Sequence, residues 1–213
     1  MISVRTEPTV FIVDDDEQVR KSLSLLIASA GFEAETYTSG EELLSAYDPR
    51  WPGCILLDIR MSGMGGLELQ AELQARGIRI PIIIISGFAD VASVVRAVKN
   101  GAVDVLEKPF QDEALLERVR AAVERDRQDR QSGAQLTSRI ASLSTRQREV
   151  MQLLLAGKGT KEIARDLGIS TKTLEKHRAL VLSKMGVESV VELMRLVLAP
   201  NLPASLTGNA ETK

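Results

Sequence analysis

The sequence predicts two domains: an α/β domain on a five-stranded, doubly wound parallel sheet, and a smaller all-α domain of four helices. Three observations lead to this fold class. Five short apolar segments alternate with five helical patterns in residues 1–125, and four short helical patterns follow a polar stretch further on. The charge also changes sign, because residues 1–125 contain 13 basic and 20 acidic side chains, whereas residues 143–199 contain 10 and 6.

The predicted strands are short runs of β-branched and other apolar residues. In chain order they are "TVFIV", "EAETYT", "CILL", "PIIII" and "VDVLE", and "EAETYT" is the least apolar of them. A run such as "IIII" does not alternate with polar residues, which fits a parallel strand that is buried on both of its faces. These strands therefore favour a sheet covered by helices on both sides.

The predicted helices of the first domain lie between these strands. They are "EQVRKSLSLLIASAGF", "GEELLSAY", "GGLELQAELQARG", "DVASVVRAVKNG" and "DEALLERVRAAVERD". In the first, Leu23 and Ile27 recur at helical spacing and Gly31 supplies the stop. Asp16 and Glu17 are expected to begin this helix, where acidic residues favour its dipole. The four C-terminal helices are "TRQREVMQLLLAG", "TKEIARDLG", "STKTLEKHRALVLSKMG" and "SVVELMRLVLA".

Changes in composition divide the chain into five segments. Residues 1–8 form an N-terminal extension, residues 9–125 the α/β domain and residues 143–199 the helical domain. Residues 126–142, "DRQDRQSGAQLTSRIAS", are polar and form an interdomain linker, either as a connector or as an extension of the preceding helix. Residues 200–213 contain two prolines and little that is apolar, and are expected to be a mobile tail.

The composition excludes several classes of protein. An apolar fraction of 44% is enough for a sizeable core, but the longest apolar runs are too short to span a bilayer. The N-terminus lacks an apolar signal core, which predicts a cytoplasmic protein without a membrane partner. The single cysteine, Cys54, permits no internal disulfide and is interpreted as a small buried hydrophobe. The single histidine, His177, disfavours His-based hydrolases and His-cluster metal sites.

Five polar side chains follow the predicted strands, at the edge where an open parallel sheet binds its ligands. They are Asp14 and Asp15 after the first strand, Asp58 after the third, Ser86 after the fourth and Lys108 near the end of the last. Three carboxylates suit Mg²⁺, which prefers oxygen ligands. An ionised carboxylate beside that cation can attack a phosphoryl group, while the cation and an ammonium neutralise the charge on the transferred oxygens.

Each of these residues alone also fits a common surface feature. A run of acidic residues after a strand is often a solvated loop, a serine there often caps the next helix, and Lys-Pro is often a surface turn. Their appearance in order, after four different strands, favours one shared site.

Residues 9–125 resemble the receiver domain of bacterial two-component response regulators, which has a flavodoxin-like fold. The motifs that carry the resemblance are "VDDDE", "LLDIRM" with Gly66 eight residues after its aspartate, "IIIISG" and "EKPF". The resemblance implies that Asp58 is the phosphoacceptor. It also implies that Mg²⁺ is bound by Asp15 directly, by Asp14 partly through water, by Asp58, and by the backbone carbonyl of Arg60.

The same resemblance assigns the remaining polar residues and shows two departures from the family pattern. Ser86 would sense the phosphoryl group, Lys108 would be its ion-pair partner, and the bond from Lys108 to Pro109 would be cis. Ser62 stands where the family usually has proline, which predicts a more flexible loop. Val105 stands at the aromatic switch position, and a valine cannot make the swing by which the family couples phosphorylation to its dimer face.

The second domain contains the spacing of a helix-turn-helix. In "EIARDLGISTKTL", Ala164 is the small residue that lets two helices approach, Gly168 makes the turn and Leu174 anchors the second helix. Ser170 or Thr171 would cap that helix. Its outward face is either a solvated surface or one that enters the major groove. That face carries Lys172, Glu175, Lys176, Arg178 and, one turn later, Leu182 or Ser183.

Residues 143–198 resemble the four-helix DNA-binding domain of the LuxR/FixJ type, from "LSTRQREVMQLLLAG" to "SKMGVES". By that resemblance Glu175 and Lys176 read base edges, and Thr173 is a further DNA-binding residue. Contacts to phosphates would come from Lys161, Lys172 and Arg178. His177 is expected to pack inside the domain, and Ala179 stands where the family often has a polar contact.

The resulting hypothesis is a DNA-binding response regulator of the FixJ/NarL type. A sensor histidine kinase would phosphorylate Asp58 with Mg²⁺, and the activated chain would dimerise through the fourth helix, fifth strand and fifth helix. The dimer would bind double-stranded DNA, with RNA polymerase as a further partner. The chain would not be an enzyme beyond slow self-dephosphorylation. Two alternatives stay open: a receiver-like transcription factor regulated independently of phosphorylation, and a Mg²⁺-dependent phosphatase or phosphotransferase that uses Asp58 as nucleophile.

Overall fold

A computed structural model describes residues 6–87 and 91–198 of the 213-residue chain. The chain divides into two compact units, residues 1–129 and residues 130–213. The predicted mobile tail and most of the N-terminal extension lie outside the described residues. No helix in the described ranges is both long enough and apolar enough to cross a membrane.

The first unit contains the five predicted strands, and all of their pairings are parallel. The strand order is β2-β1-β3-β4-β5, so the chain reverses its direction of winding after β2. This order confirms the predicted doubly wound sheet. The strands are β1 (Thr9–Val13), β2 (Glu33–Tyr37), β3 (Gly53–Asp58), β4 (Ile82–Ser86) and β5 (Asp104–Glu107).

Helices alternate with these strands, as predicted. They are α1 (Glu17–Ser29), α2 (Gly40–Ala46), α3 (Gly66–Ala75), α4 (Val91–Lys99) and α5 (Asp112–Ala141). Asp16 is the N-cap of α1, where its carboxylate accepts hydrogen bonds from the backbone N–H groups of Gln18 and Val19. The side chain therefore satisfies two of the orphan donors at the start of the helix.

The two faces of the sheet are covered by different helices. On one face, alternate strand residues such as Phe11, Ile55 and Ile84 pack with side chains of α2, α3 and α4. On the other face, residues such as Ile12 and Leu56 pack with side chains of α1 and α5. β1, β3 and β4 are buried along their whole length, which explains their unbroken apolar sequences.

Helix α5 continues through the range in which the sequence predicts a linker. Asp126 is buried in the first unit, where its Oδ2 accepts a hydrogen bond of 2.9 Å from the backbone N–H of Gly53. Further along the same helix, Leu136 and Ile140 pack into the core of the second unit. The predicted linker is therefore helical, and both of its ends contribute to packed cores.

The second unit adds the four predicted short helices: α6 (Thr145–Leu155), α7 (Thr160–Asp166), α8 (Thr171–Met185) and α9 (Val190–Leu198). Their shared core includes Val150, Ile163, Val181 and Leu193, each with no exposed surface. Two reciprocal hydrogen bonds join the end of α5 to the end of α8. Arg139 donates to the carbonyl of Met185 at 2.8 Å, and Lys184 donates to the carbonyl of Ser142 at 2.7 Å.

Candidate functional site

Three of the predicted site residues meet at the carboxyl end of the sheet. Asp14 directly follows β1, Asp58 ends β3, and Lys108 follows β5. The Nζ atom of Lys108 lies 3.0 Å from Oδ2 of Asp14 and 3.0 Å from Oδ1 of Asp58. The two carboxylates are almost wholly buried, and the ammonium is about a quarter exposed. One cation therefore bridges two anions that are separated by 44 positions in the chain.

The second oxygen of Asp58 is also occupied. Oδ2 accepts a hydrogen bond of 2.6 Å from the backbone N–H of Arg60. Burial raises the pKa of the Asp58 carboxyl and outweighs the lowering influence of Lys108 and the Arg60 amide. For Lys108 the balance is reversed. Burial acts to lower the pKa of its ammonium, but the Asp14 and Asp58 carboxylates more than offset it, so the pKa is raised. Lys108 is therefore a persistent cation at this site.

Asp14 is fixed by the start of α1. Its Oδ1 accepts a hydrogen bond of 2.9 Å from the backbone N–H of Asp16, and its carbonyl accepts one of 2.6 Å from the Arg20 guanidinium. The neighbouring Asp15 is exposed and bonds elsewhere. Its Oδ2 accepts a hydrogen bond of 2.8 Å from the backbone N–H of Ser62, and this bond lowers the pKa of the Asp15 carboxyl.

The segment from Ile59 to Gly66, here named the β3–α3 loop, is fixed by hydrogen bonds from backbone amides to carboxylates. In addition to Arg60 and Ser62, the amide of Met64 donates to Glu41 and the amide of Gly65 donates to Glu68, each at 3.2 Å. The sequence predicts a more flexible loop because Ser62 replaces a proline. In the structure, four carboxylates accept hydrogen bonds from amides of this loop, and its greater flexibility stays a prediction.

The other predicted residues of the first unit lie around this centre. Ser86 ends β4, is buried, and its backbone carbonyl accepts a hydrogen bond of 2.8 Å from the amide of Lys108. The Lys108–Pro109 bond is cis, as the resemblance implies. Val105 is half-buried in β5 and packs against the core on the α2, α3 and α4 face. Cys54 is fully buried, and burial raises the pKa of its thiol, in agreement with an inert hydrophobe.

The carboxylates have the chemistry that Mg²⁺ requires, although they are not grouped as ready ligands. Among the residues that the structure describes, no three Asp, Glu, His or Cys side chains are arranged to bind a metal ion. Lys108 bridges Asp14 and Asp58, while Asp15 is bonded to Ser62. Three carboxylates nevertheless outnumber the one ammonium, and carboxylate oxygens are the ligands that Mg²⁺ prefers. The donor set therefore fits this cation once Asp15 turns towards the other two carboxylates.

The helix-turn-helix prediction is matched by α7 and α8. Ala164 and Leu174 are buried between the helices, and Gly168 adopts a left-handed backbone with φ of 62°. Of the two candidate caps, the N-cap of α8 is Ser170, whose hydroxyl accepts a hydrogen bond of 3.1 Å from the amide of Thr173. These contacts fix the start of α8 and hence the side chains that project from its first turns.

Most of the predicted DNA-binding residues are exposed on these two helices. The exposed ones are Lys161, Lys172, Thr173, Glu175 and Lys176. The hydroxyl of Thr173 also lies 2.8 Å from that of Ser170, so it belongs to the helix cap. Arg178 is half-buried, and its Nη1 lies 3.7 Å from Oε1 of Glu175. His177 is half-buried with Nδ1 enclosed and without a hydrogen-bond partner, in agreement with the interior position predicted for it.

Several contributors to the site are absent from the sequence-based prediction, and two of them illustrate why. One is the Ser62 amide, which binds Asp15, and the other is Glu41, which binds the Met64 amide. A backbone N–H has no signature in a sequence. Glu41 lies in the first turn of α2, where an acidic residue is already explained by the helix dipole.

Comparison with known proteins gives a match for each unit. Residues 10–120 match the response regulator receiver domain family, and residues 141–197 match the luxR family of bacterial regulatory proteins. The transcriptional regulatory protein FixJ of Azorhizobium caulinodans is 45% identical over 192 residues, which cover 89% of this chain and 91% of that protein. The transcriptional regulatory protein TdiR of Thauera aromatica is 41% identical, over 89% of this chain and 85% of that protein.

Solved structures show similarity over both units. The response regulator StyR is 41% identical, covers 91% of this chain and 99% of its own, and superposes with a TM-score of 0.61. Full-length FixJ from B. japonicum is 38% identical, covers 92% of this chain and 98% of its own, and gives a TM-score of 0.55.

Proposed function

Because this chain belongs to the two-component response regulators that join a receiver domain to a LuxR-type DNA-binding domain, we propose that Asp58 accepts a phosphoryl group from a sensor histidine kinase. The observation that carries the proposal is the environment of Asp58 at the end of β3. Its carboxylate is buried beside a cation, 3.0 Å from Nζ of Lys108, and lies in the first unit at the edge where strands present ligand-binding residues.

The transfer exchanges one bond to phosphorus for another. An Asp58 oxygen forms a bond to phosphorus as the bond from phosphorus to the kinase histidine nitrogen breaks, which gives an acyl phosphate. Lys108 remains protonated and neutralises charge on the transferred oxygens. Ser86, at the end of the adjacent strand, donates a hydrogen bond from its hydroxyl to the bound phosphoryl group.

Mg²⁺ is the proposed cofactor of this transfer. Asp15, Asp58 and the backbone carbonyl of Arg60 would bind it, with Asp14 partly through water. When bound, the cation supplies positive charge that stabilises the developing negative charge on the phosphoryl oxygens. The chain itself acts as a phosphoacceptor, with no turnover beyond slow self-dephosphorylation.

The response to phosphorylation would be a shift between two existing conformations of the receiver. The activated chain dimerises through α4, β5 and α5, and the dimer binds two adjacent half-sites on double-stranded DNA. Exposed valines on α4 support this face, because Val91, Val95 and Val98 present apolar surface to solvent. Contact with RNA polymerase would then convert DNA binding into control of transcription.

Val105 favours a second candidate function, in which DNA binding is independent of phosphorylation. A valine that is half-buried against the core has no aromatic ring to exchange between two positions. In this alternative the receiver controls dimerisation without the chemistry of Asp58.

One experiment separates the two candidates. The full-length chain is incubated with acetyl phosphate and Mg²⁺, and its intact mass, oligomeric state and DNA binding are measured. We expect the mass of one phosphoryl group, dimers and tighter DNA binding for the wild type, and none of these changes for Asp58→Asn. Asp48→Asn, at a half-buried carboxylate that pairs with Arg50 outside the site, is the matched control. Phosphorylation that leaves dimerisation and DNA binding unchanged would favour the second candidate.

A further inference from the structure

We propose that the backbone N–H of Ser62 competes with Mg²⁺ for the Asp15 carboxylate, so that metal binding releases one defined contact of the β3–α3 loop. This inference rests on the Mg²⁺ site of the proposed function and adds a positioning role for Ser62 to it. It concerns a residue outside the set of metal ligands.

The competition follows from where Asp15 is bonded. Its Oδ2 lies 2.8 Å from the amide nitrogen of Ser62, 47 positions further along the chain. Asp14 and Asp58 are instead bonded to Lys108, so the three carboxylates do not form a ligand group among the described residues. To join the other two at a cation, Asp15 must change its orientation, and the bond to Ser62 opposes that change.

The contact exists because residue 62 has a backbone N–H. Proline at this position would lack the donor, and Asp15 would then have no amide to accept from at residue 62. An alanine would keep the N–H and lose the hydroxyl, which also hydrogen-bonds to the Asp15 carboxylate. The identity of residue 62 therefore determines whether the loop can donate a backbone hydrogen bond to Asp15, a proposed metal ligand.

Release of this contact would be local. The amide of Met64 remains bonded to Glu41, and the amide of Gly65 remains bonded to Glu68. Gly63, between the released and retained contacts, has a φ of 77°, a left-handed conformation that glycine adopts without strain. Mg²⁺ is therefore expected to free the segment around Ser62 while the later half of the loop keeps its contacts.

The coupling must act in both directions, because two events that exclude one another weaken each other equally. If Mg²⁺ displaces the Ser62 amide from Asp15, removal of that amide must strengthen Mg²⁺ binding. The expected gain is roughly three- to tenfold in Kd, the scale of one hydrogen bond to an exposed charged group.

The test measures Mg²⁺ affinity of the full-length chain by calorimetry, without any phosphodonor. Ser62→Pro should bind Mg²⁺ roughly three- to tenfold more tightly than the wild type. Ser62→Ala, which keeps the N–H but loses the hydroxyl that also hydrogen-bonds to Asp15, should bind Mg²⁺ with an affinity between those of the wild type and Ser62→Pro. Equal or weaker binding by Ser62→Pro, with normal binding by the wild type, would overturn the inference. Absence of Mg²⁺ binding by the wild type would instead overturn the metal site of the proposed function.

A second measurement needs no variant and covers the case in which Ser62→Pro fails to fold. Amide hydrogen exchange of the wild type is compared with and without Mg²⁺. The Ser62 amide should lose protection on addition of Mg²⁺, whereas the amides of Met64 and Gly65 should keep theirs. Unchanged or increased protection of the Ser62 amide would contradict the inference.

Discussion

Nζ of Lys108 lies 3.0 Å from Oδ1 of Asp58, a carboxylate that is only 8% exposed. Lys108 only partly offsets the effect of burial, because the pKa of the Asp58 carboxyl is still raised. A carboxylate whose folded-state pKa exceeds its unfolded value of 3.8 destabilises the fold when it is ionised. The ionised carboxylate of Asp58, the proposed phosphoacceptor, therefore lowers the free energy of unfolding.

Asp58→Asn should for this reason stabilise the receiver at neutral pH. The variant removes a buried charge, and we expect an increase in the free energy of unfolding on the order of 1 kcal/mol. The advantage should appear as the pH rises through the folded-state pKa of Asp58 and should fade below about pH 4, where both states are protonated. Urea unfolding between pH 4 and pH 8 measures it. An advantage that does not vary with pH would contradict this explanation.

Gly66→Ala should displace Asp58, the proposed phosphoacceptor. A Cβ atom at Gly66 would lie 2.1 Å from the backbone oxygen of Asp58, so the backbone must move. We expect a loss of about 1–3 kcal/mol of stability. We also expect about 10- to 100-fold slower phosphorylation, because the reacting carboxylate is displaced. Gly65→Ala is the matched control, since its Cβ would lie 3.5 Å from the nearest atom, an ordinary contact. Equal effects of the two substitutions would refute the steric argument.

Gln70→Met should be unusually well tolerated for the replacement of a buried polar residue. Nε2 of Gln70 donates a hydrogen bond of 2.9 Å to the carbonyl of Ala97, but its Oε1 is buried without a hydrogen-bond partner. The Ala97 carbonyl also accepts from the amide of Ala102, so it stays satisfied in the variant. The variant loses the hydrogen bond to Ala97, which destabilises the fold, and it also loses the unsatisfied Oε1, which stabilises it. The two effects should nearly cancel, so we expect the free energy of unfolding to change by less than about 1 kcal/mol.

Gln147→Met provides the contrast. Oε1 of Gln147 accepts hydrogen bonds of 2.9 Å from the amide of Ser144 and 2.9 Å from Nζ of Lys184. Its replacement leaves both donors without this acceptor, and we expect a loss of about 1–3 kcal/mol. Urea unfolding, followed separately for each unit, measures the free energy of unfolding that each variant loses. A Gln70→Met variant that loses as much as Gln147→Met would show that Oε1 of Gln70 is satisfied in solution.

Lys176→Ala and Lys161→Ala should weaken DNA binding in different ways. Both lysines are exposed, Lys176 on α8 and Lys161 on α7. Lys176→Ala should lose about 1–3 kcal/mol on a preferred sequence selected from random duplexes and little on unrelated DNA. Lys161→Ala should weaken binding to all sequences and reduce the slope of log K against log salt by about 1. If both variants weaken all sequences equally, Lys176 does not read a base.

The sheet and the meeting of Asp14, Asp58 and Lys108 could be predicted because both follow from strand order. Parallel strands present their carboxyl ends at one edge, so residues that follow different strands converge there. The bond from Asp15 to Ser62 could not be predicted, because a backbone amide has no sequence signal. Nor could the unsatisfied Oε1 of Gln70, since enclosure of a glutamine in α3 depends on how α3 packs against α4.

The linker shows a second limit of sequence patterns. Residues 126–142 are polar on average, which favours a connector, but average polarity does not register two apolar residues one turn apart. Leu136 and Ile140 have that spacing, and they belong to the core of the second unit. The charge of Asp126 favours a place at the start of the linker, whereas in the structure its buried carboxylate accepts a hydrogen bond from the Gly53 amide.

Helix α5 therefore determines how this chain divides into independently stable fragments. A receiver fragment that stops at residue 125 loses the Asp126 carboxylate and leaves the amide of Gly53 without that acceptor. A DNA-binding fragment that begins at residue 143 loses Leu136 and Ile140 from its core, and it loses Arg139 from the carbonyl of Met185. The shortest pieces that keep these contacts extend into the polar stretch from both sides. A cut between residues 126 and 136 therefore spares both units, whereas a cut at either end of the stretch removes structure from one of them.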